Sequence, residues 1–119
     1  MSDEGKVEEL MGGLTFPEAP RWRDGKLWFS DFFSHRVYTV DLDGRSETVV
    51  EVPQQPSGLG WTPAGNLLIV SMRDRSLMEL AGGRLRLVAD LSHLATGPCN
   101  DMVVDAGGRA YVGNFGYDR

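Results

Sequence analysis

Two residues with hard oxygen donors sit where chemistry could be done. Glu18 lies between Pro17 and Pro20 in the stretch FPEAPRW, and Asn100 opens an Asn100-Asp101 pair. Carboxylate and amide oxygens are the ligands that a hard divalent cation such as calcium prefers, and a carboxylate can also take a proton from water. Each residue has a plainer reading. A Glu at a strand start is ordinarily just solvated, and Asn-Asp by itself reads better as a turn. The flanking prolines, and the fact that Glu18 and Asn100 hold the same place in a repeat, favour the functional reading of Glu18. Two donors do not make a cation site, since calcium takes about six to eight oxygens.

The remaining polar candidates read as structural. Asp31, Asp101 and Asp105 fit the orientation of turns and backbone amides. His35 and His93 lack any partner at metal-ligand spacing and read as surface or loop residues. Cys99 reads as a small buried thiol with no histidine near it in sequence. Trp22, Trp28 and Trp61 read as core.

The element that must position Glu18 is a hairpin over residues 16–31. Pro17 and Pro20 cannot donate to a ladder, so Glu18 belongs at the start of a strand. Asp24-Gly25 is a tight-turn signal, and Leu27 to Ser30 reads as a buried return strand ending at Asp31. The chain then repeats this unit. Pro56 to Trp61, Ala64-Gly65 and Leu67 to Ser71 restate it, and Asn100 to Asp105, Gly107-Gly108 and Ala110 to Asn114 begin a third copy. The turn glycines Gly25, Gly65 and Gly108 are 40 and 43 residues apart. By this alignment Glu18, Ser57 and Asn100 are equivalent, as are Asp31, Ser71 and Asn114.

Further strands are expected over His35 to Leu42, Glu47 to Val52, Ser76 to Leu80 and Leu85 to Ala89. Upstream, Val7, Leu10, Met11 and Leu14 permit a short helix, but Gly12-Gly13 would end it, and an extended strand from Glu9 onward is preferred. Four strands per period of roughly 40–45 residues is the pattern of a β-propeller blade. The expected fold class is therefore all-β, with about two and a half four-stranded antiparallel blades, approximately 16–53, 54–96 and 97–119. A ring needs about four to eight blades, so either the sequence is the N-terminal part of a longer protein or several copies build a ring by self-association through the open propeller edge.

Composition narrows the partners. The chain has 119 residues, a net charge of −5 and no basic cluster, which argues against nucleic acid and against an anionic membrane surface. No apolar run approaches the ~18 residues of a membrane helix, and the acidic N-terminus does not resemble a secretory signal, so the expected location is cytoplasmic. The single cysteine excludes an internal disulfide.

The blocks LTFPEAPRW, LWFSDFFSHRVYTVDLDG, PSGLGW, PAGNLL and CNDMVVDAGGRAYVGNFG together resemble the SMP-30/gluconolactonase/luciferin-regenerating-enzyme family. The resemblance implies a six-bladed propeller with a divalent metal, calcium or zinc, in its central channel. It implies hydrolysis of a small-molecule lactone or ester substrate. Glu18 matches the family's first metal-binding carboxylate, and Asn100 matches an active-site Asn close to metal and substrate. The other ligands and the general base fall in the family's second half, beyond residue 119, so no catalytic base is expected within this chain. Pro98 stands where several sugar-lactonase members carry a substrate-binding Arg, a departure that weakens a sugar-acid lactone as substrate. A rival from another class is a non-catalytic propeller arc that serves as a binding or assembly module.

Overall fold

The computed structural model describes residues 5–116. These residues form ten strands, and no helix occurs among them. The first antiparallel sheet runs β1 (Pro17–Arg23), β2 (Lys26–Asp31), β3 (Arg36–Val40) and β4 (Ser46–Glu51). The second repeats it as β5 (Pro56–Trp61), β6 (Leu67–Ser71), β7 (Ser76–Ala81) and β8 (Arg84–Asp90). A hairpin of β9 (Cys99–Val104) and β10 (Ala110–Asn114) stands third.

The three units share their register down to an irregularity. Pro17 pairs with Asp31, Pro56 with Ser71 and Cys99 with Asn114. In each inner strand an extra residue follows before pairing resumes. Such a bulge bends the strand and increases its twist at that point. In β1 it holds Ala19 at φ 55°, a left-handed conformation that costs energy for a residue with a Cβ. The turn glycines do what their spacing implied: Gly25, Gly65 and Gly108 have φ of 74°, 91° and 86°.

Alternation along each strand decides which sheet faces which. Ala19 and Val37 of the first sheet, with Val52 just past β4, meet Leu59, Leu67 and Ile69 of the second, with Trp28 and Trp61 packed edge-on at 5.3 Å between ring centres. On its other face the second sheet sends Leu68, Val70 and Leu77 against Cys99 and Met102 of the third unit. The inner strands β5 and β9 come so close that a Cβ on Gly58 would stand 2.6 Å from the Met102 amide nitrogen. Only glycine permits that approach.

Two expectations need correction. Residues 9–14 form no strand; the chain there is irregular, with Gly13 at φ 74°. The Thr15 and Phe16 amides, which a ladder would have used, donate instead to the Asp31 carboxylate. Trp22 is not core but 59% exposed, because it points away from the packed face that Trp28 occupies. The other strands lie where expected within one or two residues at their ends.

Candidate functional site

Glu18, Ser57 and Asn100 each follow the residue that pairs with the end of the neighbouring strand, so they occupy one rung of three successive inner strands. A path of hydrogen bonds crosses this rung. Ser30, the ladder partner of Glu18, donates its hydroxyl to the Ser57 carbonyl at 2.6 Å, and the Ser57 hydroxyl donates to Asn100 Oδ1 at 3.1 Å. Ser30 and Ser57 are fully buried. The serine of the middle unit thus sets the orientation of the Asn100 amide, a role that its equivalence to Glu18 does not reveal by itself.

Arg21 adds a second tie. Its Nε donates to the Leu59 carbonyl at 3.2 Å, and its Nη2 donates to Asp101 Oδ1 at 2.7 Å and to the Met102 carbonyl at 3.0 Å. One guanidinium therefore joins all three inner strands, three residues from Glu18 and one residue from Asn100. A rigid planar fork with several donors suits this geometry, where a lysine ammonium would not. Asp101 is thereby placed as a structural anion.

Asp31 is also structural. It is 1% exposed, and its carboxylate accepts from the Thr15 amide and hydroxyl, the Phe16 amide and the Ser34 hydroxyl. Burial alone would push its pKa up; the donors from Phe16, Thr15 and Ser34 outweigh it and hold the carboxyl below its ordinary value. Asp105 likewise closes the β9–β10 turn through the Gly107 and Arg109 amides. The Cys99 thiol is buried, and desolvation raises its pKa, which disfavours the thiolate. His93 lies outside strands and is exposed, as expected, while His35, where a strand was expected to begin, is half-buried in the reversal just before β3.

At the end of the sheets marked by this rung lies a cleft of about 530 Å³. Its walls come from matching places in the three units. Phe16, Gln55 and Pro98 lead into the inner strands, and Phe32, Met72 and Phe115 follow the second strands. Phe33, His35 and Arg73 complete it from the two reversals that follow β2 and β6. In those reversals His35 and Arg75 adopt φ of 60° and 54° without glycine. Sequence reasoning missed this wall. The available signal was Phe32-Phe33 in a turn, where large apolar residues have no core face to fill.

Glu18 is half-buried and lines a different space, a groove of about 380 Å³ between the outer face of the first sheet and residues 8–14. Asn100 is half-buried beside Ser57. The donors are right in kind for a hard cation. They are too few in number: among the described residues no group of three or more His, Cys, Asp or Glu side chains is placed to hold a metal.

The chain matches the profile of the SMP-30/Gluconolactonase/LRE-like region over residues 16–119. Among solved structures it is similar to a gluconolactonase from Xanthomonas campestris, with 20% identity, a TM-score of 0.74, and coverage of 87% of this chain and 36% of that one. A second X-ray structure, whose gluconolactonase assignment is itself an inference, matches with 22% identity, a TM-score of 0.62, and coverage of 81% and 40%. The chain thus spans about two-fifths or less of the length of these relatives. No curated protein matches it. The fold is an open arc of a β-propeller, and with most of its length under the family profile the chain belongs to the SMP-30/gluconolactonase/LRE-like family.

Proposed function

We propose that this chain is the N-terminal portion of the ring of a lactonase-type hydrolase that depends on a divalent metal. The observation that carries this reading is the shared rung: an acid and an amide at equivalent places of two inner strands, in a chain of this family. Glu18 and Asn100 are the donors this chain would give to a calcium or zinc ion. A bound cation would polarise the lactone carbonyl and make water more acidic. The chain's own contribution is positional. Ser57 fixes which way the Asn100 amide faces, and the Arg21 fork fixes the spacing of the strands that carry Glu18 and Asn100.

The test begins with the protein made from its full reading frame. Lactone hydrolysis should fall at least a hundredfold in Glu18→Gln, which keeps the shape and removes the charge. The 119-residue chain alone, titrated calorimetrically with calcium and with zinc, should bind no tighter than about 1 mM, since affinity grows with the number of converging oxygen ligands. Unchanged turnover in Glu18→Gln would end the reading.

One observation favours a second reading, an assembly module. Val103 and Tyr111 are 63% and 55% exposed, on the face of the β9–β10 hairpin that corresponds to the packed Leu68 and Val70 face of the second sheet. Apolar residues side by side on an uncovered sheet face mark a surface that pairs. Sedimentation velocity should show concentration-dependent association of the chain, suppressed by Tyr111→Lys. A monomer at all concentrations would remove this reading.

A further inference from the structure

Three phenyl rings stand together at the rim of the large cleft. Phe16 stacks on Phe32 at 5.0 Å between centroids, and Phe33 meets both edge-on, at 6.0 Å and 6.3 Å. Phe32 is buried, but Phe16 and Phe33 are 46% and 63% exposed, so the cluster presents apolar surface to the cleft and does not fill a core. The fold pins it there. The Phe16 amide donates a hydrogen bond to Asp31 Oδ1, and the Phe32 amide donates to the Phe16 carbonyl at 3.1 Å. The reversal after β6 brings exposed Arg73 to the same cleft.

We propose that this cleft binds an aryl group, so that the substrate of the hydrolase is an aryl-fused or arylalkyl lactone whose product carboxylate faces Arg73. The assignment rests on the lactonase reading above for the reaction and on the ring cluster for the substrate class. A cleft of about 530 Å³ is of the size that encloses a small bicyclic ligand. Exposed rings held at stacking distance gain from a further ring beyond simple area burial, whereas a polyhydroxylated ligand laid on the rings would bring hydroxyls against an apolar wall that gives them no partner there. In the reaction, the oxygen of water bonds to the acyl carbon and the ring C–O bond breaks. One proton goes to the released oxygen, phenolic in an aryl-fused lactone and alcoholic in an arylalkyl one, and one leaves as the acid ionises. The new carboxylate then meets the Arg73 guanidinium, a charge-assisted contact that the neutral lactone cannot make in full.

Saturation-transfer NMR on the 119-residue chain, with dihydrocoumarin, δ-decalactone and glucono-1,5-lactone as probes, tests the binding. Dihydrocoumarin should bind at least tenfold tighter than either of the others, with the strongest transfer at its aromatic protons. Phe33→Ser, at an exposed position where the fold has little to lose, should weaken it at least fivefold. Arg73→Gln should weaken the product 3-(2-hydroxyphenyl)propanoate more than the lactone. Val88→Ser, on the exposed outer strand of the second sheet, should change neither. Equal or tighter binding of the sugar or alkyl lactone, or no effect of Phe33→Ser, overturns the proposal. Turnover assays on the protein from its full reading frame separate the two levels. Hydrolysis with a sugar-lactone preference defeats the aryl assignment and keeps the hydrolase. Aryl binding with no lactone turned over defeats the hydrolase reading and keeps the aryl site.

Discussion

Replacing Arg21 with methionine is expected to destabilise the chain by about 2–3 kcal/mol, with a fall in thermal midpoint of roughly 10 °C. The substitution keeps most of the apolar stem and removes the fork that joins β1 to Leu59, Asp101 and Met102. Its largest cost is the two backbone carbonyls, on Leu59 and Met102, left without this donor between closely packed strands. The ion pair itself contributes little. Asp101 is 56% exposed, and solvent screens its attraction to the 27% exposed Arg21. Asp101→Asn should therefore cost under about 1 kcal/mol, and Arg21→Lys should recover only part of the loss, because an ammonium cannot reach three acceptors in a plane. Urea denaturation of the three variants separates the contributions. If Asp101→Asn costs as much as Arg21→Met, the charge pair and not the carbonyl fork is what holds the strands.

Asp31→Ala should cost about 3 kcal/mol or more, the other large effect expected of a single substitution here. The buried carboxylate collects donors from Thr15, Phe16 and Ser34, and its loss orphans all of them at once. It would also release Phe16 from the ring cluster at the cleft. The pH dependence follows from the direction of the shift. The folded pKa lies below the ordinary 3.8, so the unfolded chain binds the proton more readily. The contribution of Asp31 is complete above about pH 4–5 and is lost as pH falls through the lower, folded value. Asp31→Asn should flatten the acid side of the stability profile between pH 5 and pH 2, measured by denaturation at fixed urea steps. An unchanged acid slope in that variant would show that other carboxylates, such as Glu79 with its Asn66 and Arg86 partners, set it.

Asp31 also shows where local and tertiary information divide. The sequence by itself determined the strands, because period-two alternation and positive-φ turn glycines act within a few residues. It also determined the matching of Glu18, Ser57 and Asn100, because a repeated backbone unit places repeated positions alike. The β1–β2 hairpin needs no distant partner to be recognised: Pro17, Gly25 and the run from Leu27 to Ser30 specify it locally.

What lay between units was not legible. Trp22 and Trp28 are both tryptophans on strands, and only the packing of the second sheet buries one and exposes the other. The strand expected from Glu9 onward gave way to a competing acceptor, since a buried carboxylate outbids a ladder carbonyl for the Thr15 and Phe16 amides. Arg21 reads as one more charged residue on a strand until β9 arrives 80 positions later to meet it. The aromatic cleft has the same origin. Phe16, Phe32, Met72 and Phe115 come from loops far apart in the chain, and loops carry no periodicity to read. Only the side-by-side stacking of three repeated units, driven by burial of their alternating apolar faces, brings those loops to one end and makes a binding surface of them.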